Sequence, residues 1–421
     1  MGSKIIQFLV QTARIIVGGL FVFSGFVKAI DPLGTVYQIH DYLISLNLTL
    51  FFPLALPGAI GLLTAEIALG VFLLLGIYRK FTVFIISLMM IFFTPFTLWV
   101  AMTNPVSDCG CFGDALVISN WQTFYKNIVL LACIVFLIWT YKRIKPLFSK
   151  EIRIYVAGFV TIFALLFTLY NLHRLPILDF RPYRIGANIP EKMRIDPENM
   201  DILETILIYR KDGVEQAFTQ DDFPWDDPAW EFVRMENRLV RAGERPQIEQ
   251  FVIESLYHDQ ATGRWVVEND ITDIILSEPR YTFLMVSPSL NRVNARQLRH
   301  FEAINRYAQE HGYLFYLLTS SPLHEVGEWE SRHRTGFRFL FSDERILITM
   351  IRSNPGLILL REGTVVNNWA ASQVSEVSRL TVPLSETRLT EIGNERRINI
   401  LRLLIVGLLF FIPLLIFKWI D

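Results

Sequence analysis

Apolar stretches long enough to cross a bilayer recur along this chain, separated by short polar breaks. A hydrocarbon core needs roughly 20 mainly apolar residues per helix. Residues 8–27, 51–75, 81–102 and 128–141 meet or approach that length, the last if it begins near Trp121, and residues 154–172 and 403–417 add two more. The sixth extends toward Ile398 on one side and Ile420 on the other. Between the first two spans, residues 31–46 read as a short amphipathic helix lying along the interface.

Lys and Arg set the orientation of such spans. Arg79 and Lys80 lie between the second and third, and Lys142, Arg143, Lys145, Lys150 and Arg153 lie between the fourth and fifth. Those loops are expected inside, with Lys4 and the amino terminus. The loop of Asp108, Cys109, Cys111 and Asp114 then faces outward, as does the long polar region 173–397. Lys418 agrees with this arrangement, whereas Arg396 and Arg397 pull against it. Val27 and Ala29 fit a small-residue cleavage site, but Gln11 and Arg14 interrupt the first apolar run and Lys28 follows it directly, so the segment reads as a retained span.

From Pro246 onward the pattern changes to strands alternating with helices. Residues 248–253, 281–287 and 313–319 read as strands, 295–311 and 325–334 as helices, and 357–360 with 365–369 as a hairpin around Glu362 and Gly363. Gly312 stops the first of those helices. The fold class is an α-helical membrane bundle of four helices plus two further transmembrane helices, with an α/β extramembrane domain. The divisions are 1–148, 149–173, 174–245, 246–396 and 397–421. Region 174–245, with its turn of Pro224, Trp225, Asp226, Asp227 and Pro228, has no assignable role.

Composition supports the membrane reading: 52% of residues are hydrophobic, only 19% are charged, and mean hydropathy is +0.35. A net charge of −1 with scattered basic residues excludes a nucleic-acid surface. The seven histidines show no metal spacing, no glycine-rich phosphate loop precedes a helix, and no serine sits in a nucleophile elbow. Hydrolase and nucleotide-dependent activities are therefore not expected.

Three cysteines remain, all in the first third of the chain. Cys109 and Cys111 flank Gly110, and in an oxidising compartment the pair admits three readings: a redox couple, a structural disulfide or a metal site. A disulfide between residues two apart is strained and easily reduced, and Gly110 and Gly113 supply the backbone freedom of the turn. The flanking carboxylates Asp108 and Asp114 are expected to raise the thiol pKa. Cys133, deep on the fourth span, reads first as a small buried apolar residue and second as a further redox thiol. Arg14 and Glu66 lie within spans, where an ion pair between the first and second helices would satisfy both; a proton path or quinone site is the functional alternative. Lys28 reads as a residue reaching the outer interface.

Two resemblances follow from these residues. Arg14, Gly18, Ser24, Gly25, Lys28, Asp31 and Pro32, with Glu66 and Gly70, resemble the DoxX family, and the Cys109–Gly110–Cys111–Phe112–Gly113 loop is similar to its methylamine-utilisation MauE branch. This covers about the first 145 residues, a usual domain size, and implies periplasmic disulfide formation or thiol electron transfer beside a thioredoxin-like partner. Residues 246–382 resemble a thioredoxin-like domain, most specifically at Ser353, Asn354, Pro355 and Gly356 before the hairpin, which makes Pro355 the candidate cis proline. Where that family carries its dithiol, this chain has Ser287, Pro288, Ser289, Leu290, Asn291 and Arg292, so the domain is a docking surface lacking its own thiol chemistry. The expectation is a multi-pass bacterial inner-membrane thiol redox component with a periplasmic domain. It would have a quinone as carrier, no covalent cofactor, and a periplasmic thiol or envelope protein as partner. The competing reading is an envelope scaffold whose cysteines form a fixed staple.

Overall fold

The structure is a computed structural model and describes residues 2–106, 109–195, 200, 202–219, 222–223, 227–241, 243 and 246–421, with side chains except at residues 2 and 393–396. Among the described residues, six helices are long and apolar enough to cross a membrane. The protein is therefore a multi-pass membrane protein. Helix α1 (Gly2–Ile30) is followed at once by α2 (Pro32–Ser45), where Asp31 caps the new helix by accepting the Gly34 N–H at 3.0 Å and Pro32 occupies the first turn. Then come α3 (Phe52–Leu75), α4 (Arg79–Thr103), α5 (Asn120–Thr140) and α6 (Lys150–His173). Ser119 and Gln122 close a capping box at the start of α5, which is why this span begins near Trp121.

Helices α1 and α3 cross where Gly18 meets Gly70. A Cβ on either glycine would fall within 3.1 Å of the other's carbonyl oxygen, so only hydrogen-sized side chains admit this approach. The antiparallel crossing brings Arg14 level with the end of α3. Its guanidinium donates to the Leu73 carbonyl at 2.9 Å, to Gln11 Oε1 at 3.1 Å and to the Leu74 carbonyl. The expected Arg14 to Glu66 pair is therefore not formed: the orphan carbonyls ending α3 already satisfy the guanidinium.

The remaining elements build two sheets. A short helix α7 (Ile189–Met193) precedes strands β1 (Ile202–Lys211), β2 (Val214–Phe218) and β3 (Glu231–Arg241), which form an exposed three-stranded sheet in the order β2-β1-β3. The seven-stranded sheet comprises β4 (Glu254–Asp259), β5 (Arg264–Asp270), β6 (Thr282–Ser287), β7 (Leu314–Thr319), β8 (Phe339–Phe341), β9 (Gly356–Arg361) and β10 (Thr364–Ala370), ordered β10-β9-β6-β7-β8-β4-β5. Its helices are α8 (Thr272–Leu276), α9 (Ala295–Glu310), α10 (Leu323–His333), α11 (Glu344–Met350) and α12 (Val374–Val377); α13 (Ile392–Ile420), long and apolar enough to cross a membrane, follows.

Strand β6 pairs parallel with β7 and antiparallel with β9, and every one of its residues is buried. Alternation sends Phe283 and Met285 into the core with α9 and α10, and Leu284 and Val286 into the opposite core. Tyr183 and Ile189 join that second core, so the chain from about 183 to 193 packs with the globular domain rather than with the exposed sheet, while Ile177 packs in the bundle core. Residues 248–253 form no strand. Ile248, Phe251 and Ile253 are buried as a plug, and the Ile253 N–H is satisfied by Thr272 Oγ1 at 2.8 Å instead of by a ladder. The turn 224–226 lies outside the described residues.

Ion pairs seat the globular domain on one end of the bundle. Arg352, between α11 and β9, donates to Asp31 Oδ2 at 2.7 Å and lies 3.8 Å from Asp114; Arg345 reaches Asp41 at 2.9 Å. Burial alone would raise the Asp31 carboxyl, but the Arg352 and Arg181 charges, with hydrogen bonds from Arg352 and Gly34, hold it below the usual carboxylate range. At the opposite end Asp421 Oδ1 accepts the Ser149 N–H at 2.7 Å, anchoring the foot of α13 beside α6.

Candidate functional site

The chain from 104 to 119 links α4 to α5 on the side where the globular domain sits, and it carries the paired cysteines. Both are free thiols, and their sulfur atoms lie 3.5 Å apart. Gly110 between them has φ +58°, and a Cβ there would collide with the Gln38 side-chain amide of α2, so this turn requires glycine twice over. The turn's carbonyls are fixed from two helices. Tyr42 Oη of α2 donates to the Cys109 carbonyl at 3.2 Å, and Ser24 Oγ of α1 lies 2.8 Å from the Cys111 carbonyl oxygen.

Ser24 Oγ is also 3.2 Å from Glu66 Oε2, and its single proton serves one of the two acceptors at a time. Glu66 Oε1 accepts from Lys28 Nζ at 2.7 Å with both side chains buried. Lys28 thus turns inward to neutralise Glu66 instead of reaching for the interface. A lone buried charge in a helical bundle costs several kcal/mol, whereas a paired one is tolerated.

The two thiols share their protons unequally. The Cys109 thiol donates to Cys111, and together with the positive charges of Lys126 and Lys28 this outweighs burial and lowers the Cys111 thiol to about 6; for the same reason Cys109 is pushed up. The expectation that flanking carboxylates would dominate is not met. Asp114 turns to Arg352, and Asp108 lies outside the described residues. Cys133 packs against the bundle core and lines no space shared with the pair. Among the described residues, no three His, Cys, Asp or Glu side chains gather as a metal site.

Beneath the loop lies a cavity of about 490 Å³, walled by α1, α2, α4 and α5 and lined by both cysteines. On the other side of the loop is a polar cleft of about 990 Å³ shared with the globular domain. The cleft's far wall includes Pro288, Ser289 and Asn354, and the Asn354–Pro355 peptide is cis.

Residues 6–140 match the family described as Methylamine utilisation protein MauE. Over these residues the membrane bundle is similar to the MauE family. Its matched span runs from α1 to the end of α5 and so includes the cysteine loop, Ser24, Lys28, Glu66 and Lys126. Residues 203–242, the exposed three-stranded sheet, match a second family, described as a domain of unknown function (DUF8463). No curated protein and no solved structure matches the chain.

Sequence reasoning singled out Cys109, Cys111, Lys28 and Glu66 but passed over Ser24, Gln38, Tyr42 and Lys126 as contributors to the MauE-like site. Lys126 carried a usable signal: it is a cation six residues into a span, where a charge requires a reason.

Proposed function

We propose that the protein is a thiol redox component of a bacterial inner membrane, in which Cys109 and Cys111 alternate between dithiol and disulfide. The globular domain, on the periplasmic side, docks the client. The observation that carries this reading is the pair itself: two free thiols 3.5 Å apart on a glycine turn, one of them acidified to about 6. A thiol acidified in this way leaves readily when another thiolate attacks the disulfide, which makes exchange fast. In the step proposed, a client thiolate attacks the Cys109–Cys111 disulfide to form a mixed disulfide. The client's second thiolate then displaces it, leaving the client disulfide-bonded and two electrons on the pair, as the Cys111 thiolate and a Cys109 thiol that takes one proton from water.

The parallel β6–β7 pair, antiparallel β9–β10 hairpin and cis Asn354–Pro355 peptide support a thioredoxin-like reading of the globular domain, with serines where that family holds its thiols. The MauE match connects the membrane domain with methylamine utilisation, and a client is to be sought there. A scaffold reading draws on a different observation, the Arg352 to Asp31 pair that fixes the two parts together.

One titration separates the two readings. Membranes holding the full chain are poised with glutathione buffers, acid-quenched and alkylated with a mass-tagged maleimide. A redox couple changes its oxidised-to-reduced ratio tenfold per about 30 mV, as two electrons require. A pair that stays oxidised at every potential is a staple, and the scaffold reading then stands.

A further inference from the structure

Resting on that thiol reading, we propose that the cavity beneath the cysteine loop binds a quinone from the lipid phase, which reoxidises the pair. The direction in which the sulfur atoms face carries the inference. Gly110 borders both the inner cavity and the polar cleft, but Cys109 and Cys111 line only the inner cavity. The thiols therefore open onto an apolar space, with the loop backbone between them and the cleft.

That space reaches the flank of the bundle, where Leu46, just past the end of α2, is 41% exposed and Phe92 of α4 is 64% exposed. Phe92 is midway along a membrane span, so this mouth faces lipid. Leu20, Phe21, Met90, Phe93, Phe96 and Leu130 form most of the walls. A water-soluble oxidant would gain little from such walls, whereas an isoprenoid carrier already dissolved in the bilayer enters without crossing solvent. The volume of about 490 Å³ lies within the usual range for small-molecule sites, roughly 300–1,000 Å³.

Two polar groups on neighbouring positions of α5 suit the carbonyl oxygens of a quinone. Lys126 Nζ sits 4.4 Å from the centre of the Phe112 ring and, among the described residues, pairs with no carboxylate. Asn127 gives one amide hydrogen to Thr97 Oγ1 at 3.1 Å, and its amide has a second to donate. A cation in an apolar wall with no carboxylate partner among the described residues is favoured by negative charge beside it: the Cys111 thiolate supplies that charge in the reduced pair, and quinone reduction develops it on oxygen. The step balances as Cys111 thiolate plus Cys109 thiol plus quinone plus one proton giving the disulfide plus quinol. The two sulfurs lose two electrons, the ring gains them, and the two quinol hydrogens come from the Cys109 thiol and, through Lys126, from water.

The test uses the full chain in lipid nanodiscs with decyl-benzoquinone and a photoreactive azido analogue of it. The label is expected within residues 90–97 or 126–130 and is expected to vanish with excess decyl-benzoquinone but not with excess phospholipid. Anaerobic mixing of the reduced chain with decyl-benzoquinone is expected to yield one quinol per Cys109–Cys111 disulfide. Lys126→Met is expected to slow quinol formation at least about tenfold, and Lys126→Arg to restore most of the rate. Labelling elsewhere, labelling displaced equally by phospholipid, or no quinol formed overturns the quinone site. If the glutathione titration still shows a two-electron couple, only the quinone site falls; if that transition is also missing, the thiol reading falls with it.

Discussion

Two corners of the molecule face each other across the polar cleft, and they differ in one element. On the bundle side, a glycine turn carries sulfur at positions 109 and 111, borders the cleft with Gly110 and turns both thiols to the inner cavity. On the globular side, β6 ends on the buried Ser287 and the turn after it carries Ser289 on the cleft wall, beside the cis Asn354–Pro355 peptide. Ser287 Oγ donates to Asn354 Oδ1 at 2.7 Å, and Asn354 Nδ2 donates to the Ser289 carbonyl at 3.1 Å. Hydroxyls and amides keep such a corner rigid, yet they have no oxidation state to exchange. On the proposed function, the globular side supplies shape and the bundle electron chemistry.

The sharpest way to break that division is to remove each corner in turn. Cys109→Ser with Cys111→Ser is expected to abolish the two-electron transition completely. Ser287→Ala with Ser289→Ala is expected to leave its midpoint in place, read by the same alkylation titration. A shift of the midpoint in the serine variant would return the globular corner to the chemistry.

The next largest effect concerns what holds the sulfur-bearing turn. Lys28→Met leaves Glu66 buried and unpaired, and about 3–5 kcal/mol of stability is expected to be lost. Replacing both by apolar residues, Lys28→Met with Glu66→Leu, is expected to recover most of it. Unfolding midpoints in detergent check both values, and equal losses in the single and double variants would remove the pair from the account.

A third effect is electrostatic. Alkylation of Cys111 by iodoacetamide is expected to rise as pH increases through about 6, below the ordinary cysteine range near 8.5. Cys109→Ala removes the leading cause, the donated thiol hydrogen, and is expected to move that rise to higher pH. Lys126→Met acts through charge alone and is expected to move it less. The sign for stability follows: because the folded pKa is the lower one, this stabilisation is fully present above the unfolded thiol's pKa and is lost as pH falls through about 6.

The smallest effect compares two ion pairs across the cleft. Arg345 is 75% exposed on its side chain, so Arg345→Ala is expected to cost less than about 1 kcal/mol. The Arg352 side chain is only 9% exposed, so Arg352→Ala is expected to cost more, since it leaves Asp31 in the cleft without its guanidinium. Proteolytic release of the globular domain at graded denaturant ranks the two.

Much of this was legible from the amino-acid sequence because length and periodicity are local properties. The long apolar helices, the helix after Asp31, helix α9 and the β9–β10 hairpin are each written in their own residues. Partners across helices are not local. Glu66 faces Ser24 and Lys28, and Arg14 faces Leu73, because α1 and α3 cross at Gly18 and Gly70; that register is a property of two helices together. Residues 248–253 misled for a related reason: their apolar side chains plug a core while hydrogen bonds from outside any ladder satisfy the backbone. The chain near Tyr183 and Ile189 has too few apolar residues to declare its domain, and only the sheet it packs on assigns it.

The account stands or falls on which side of the loop the two sulfurs can be reached from. In sealed vesicles, the rates at which a lipid-soluble maleimide and a charged, membrane-impermeant maleimide label Cys109 and Cys111 measure this directly. The lipid-soluble reagent is expected to react much faster, and the difference is expected to persist when Arg352→Ala loosens the cleft. Equal rates, or faster labelling by the charged reagent, would place the thiols in the aqueous cleft and contradict the assignment.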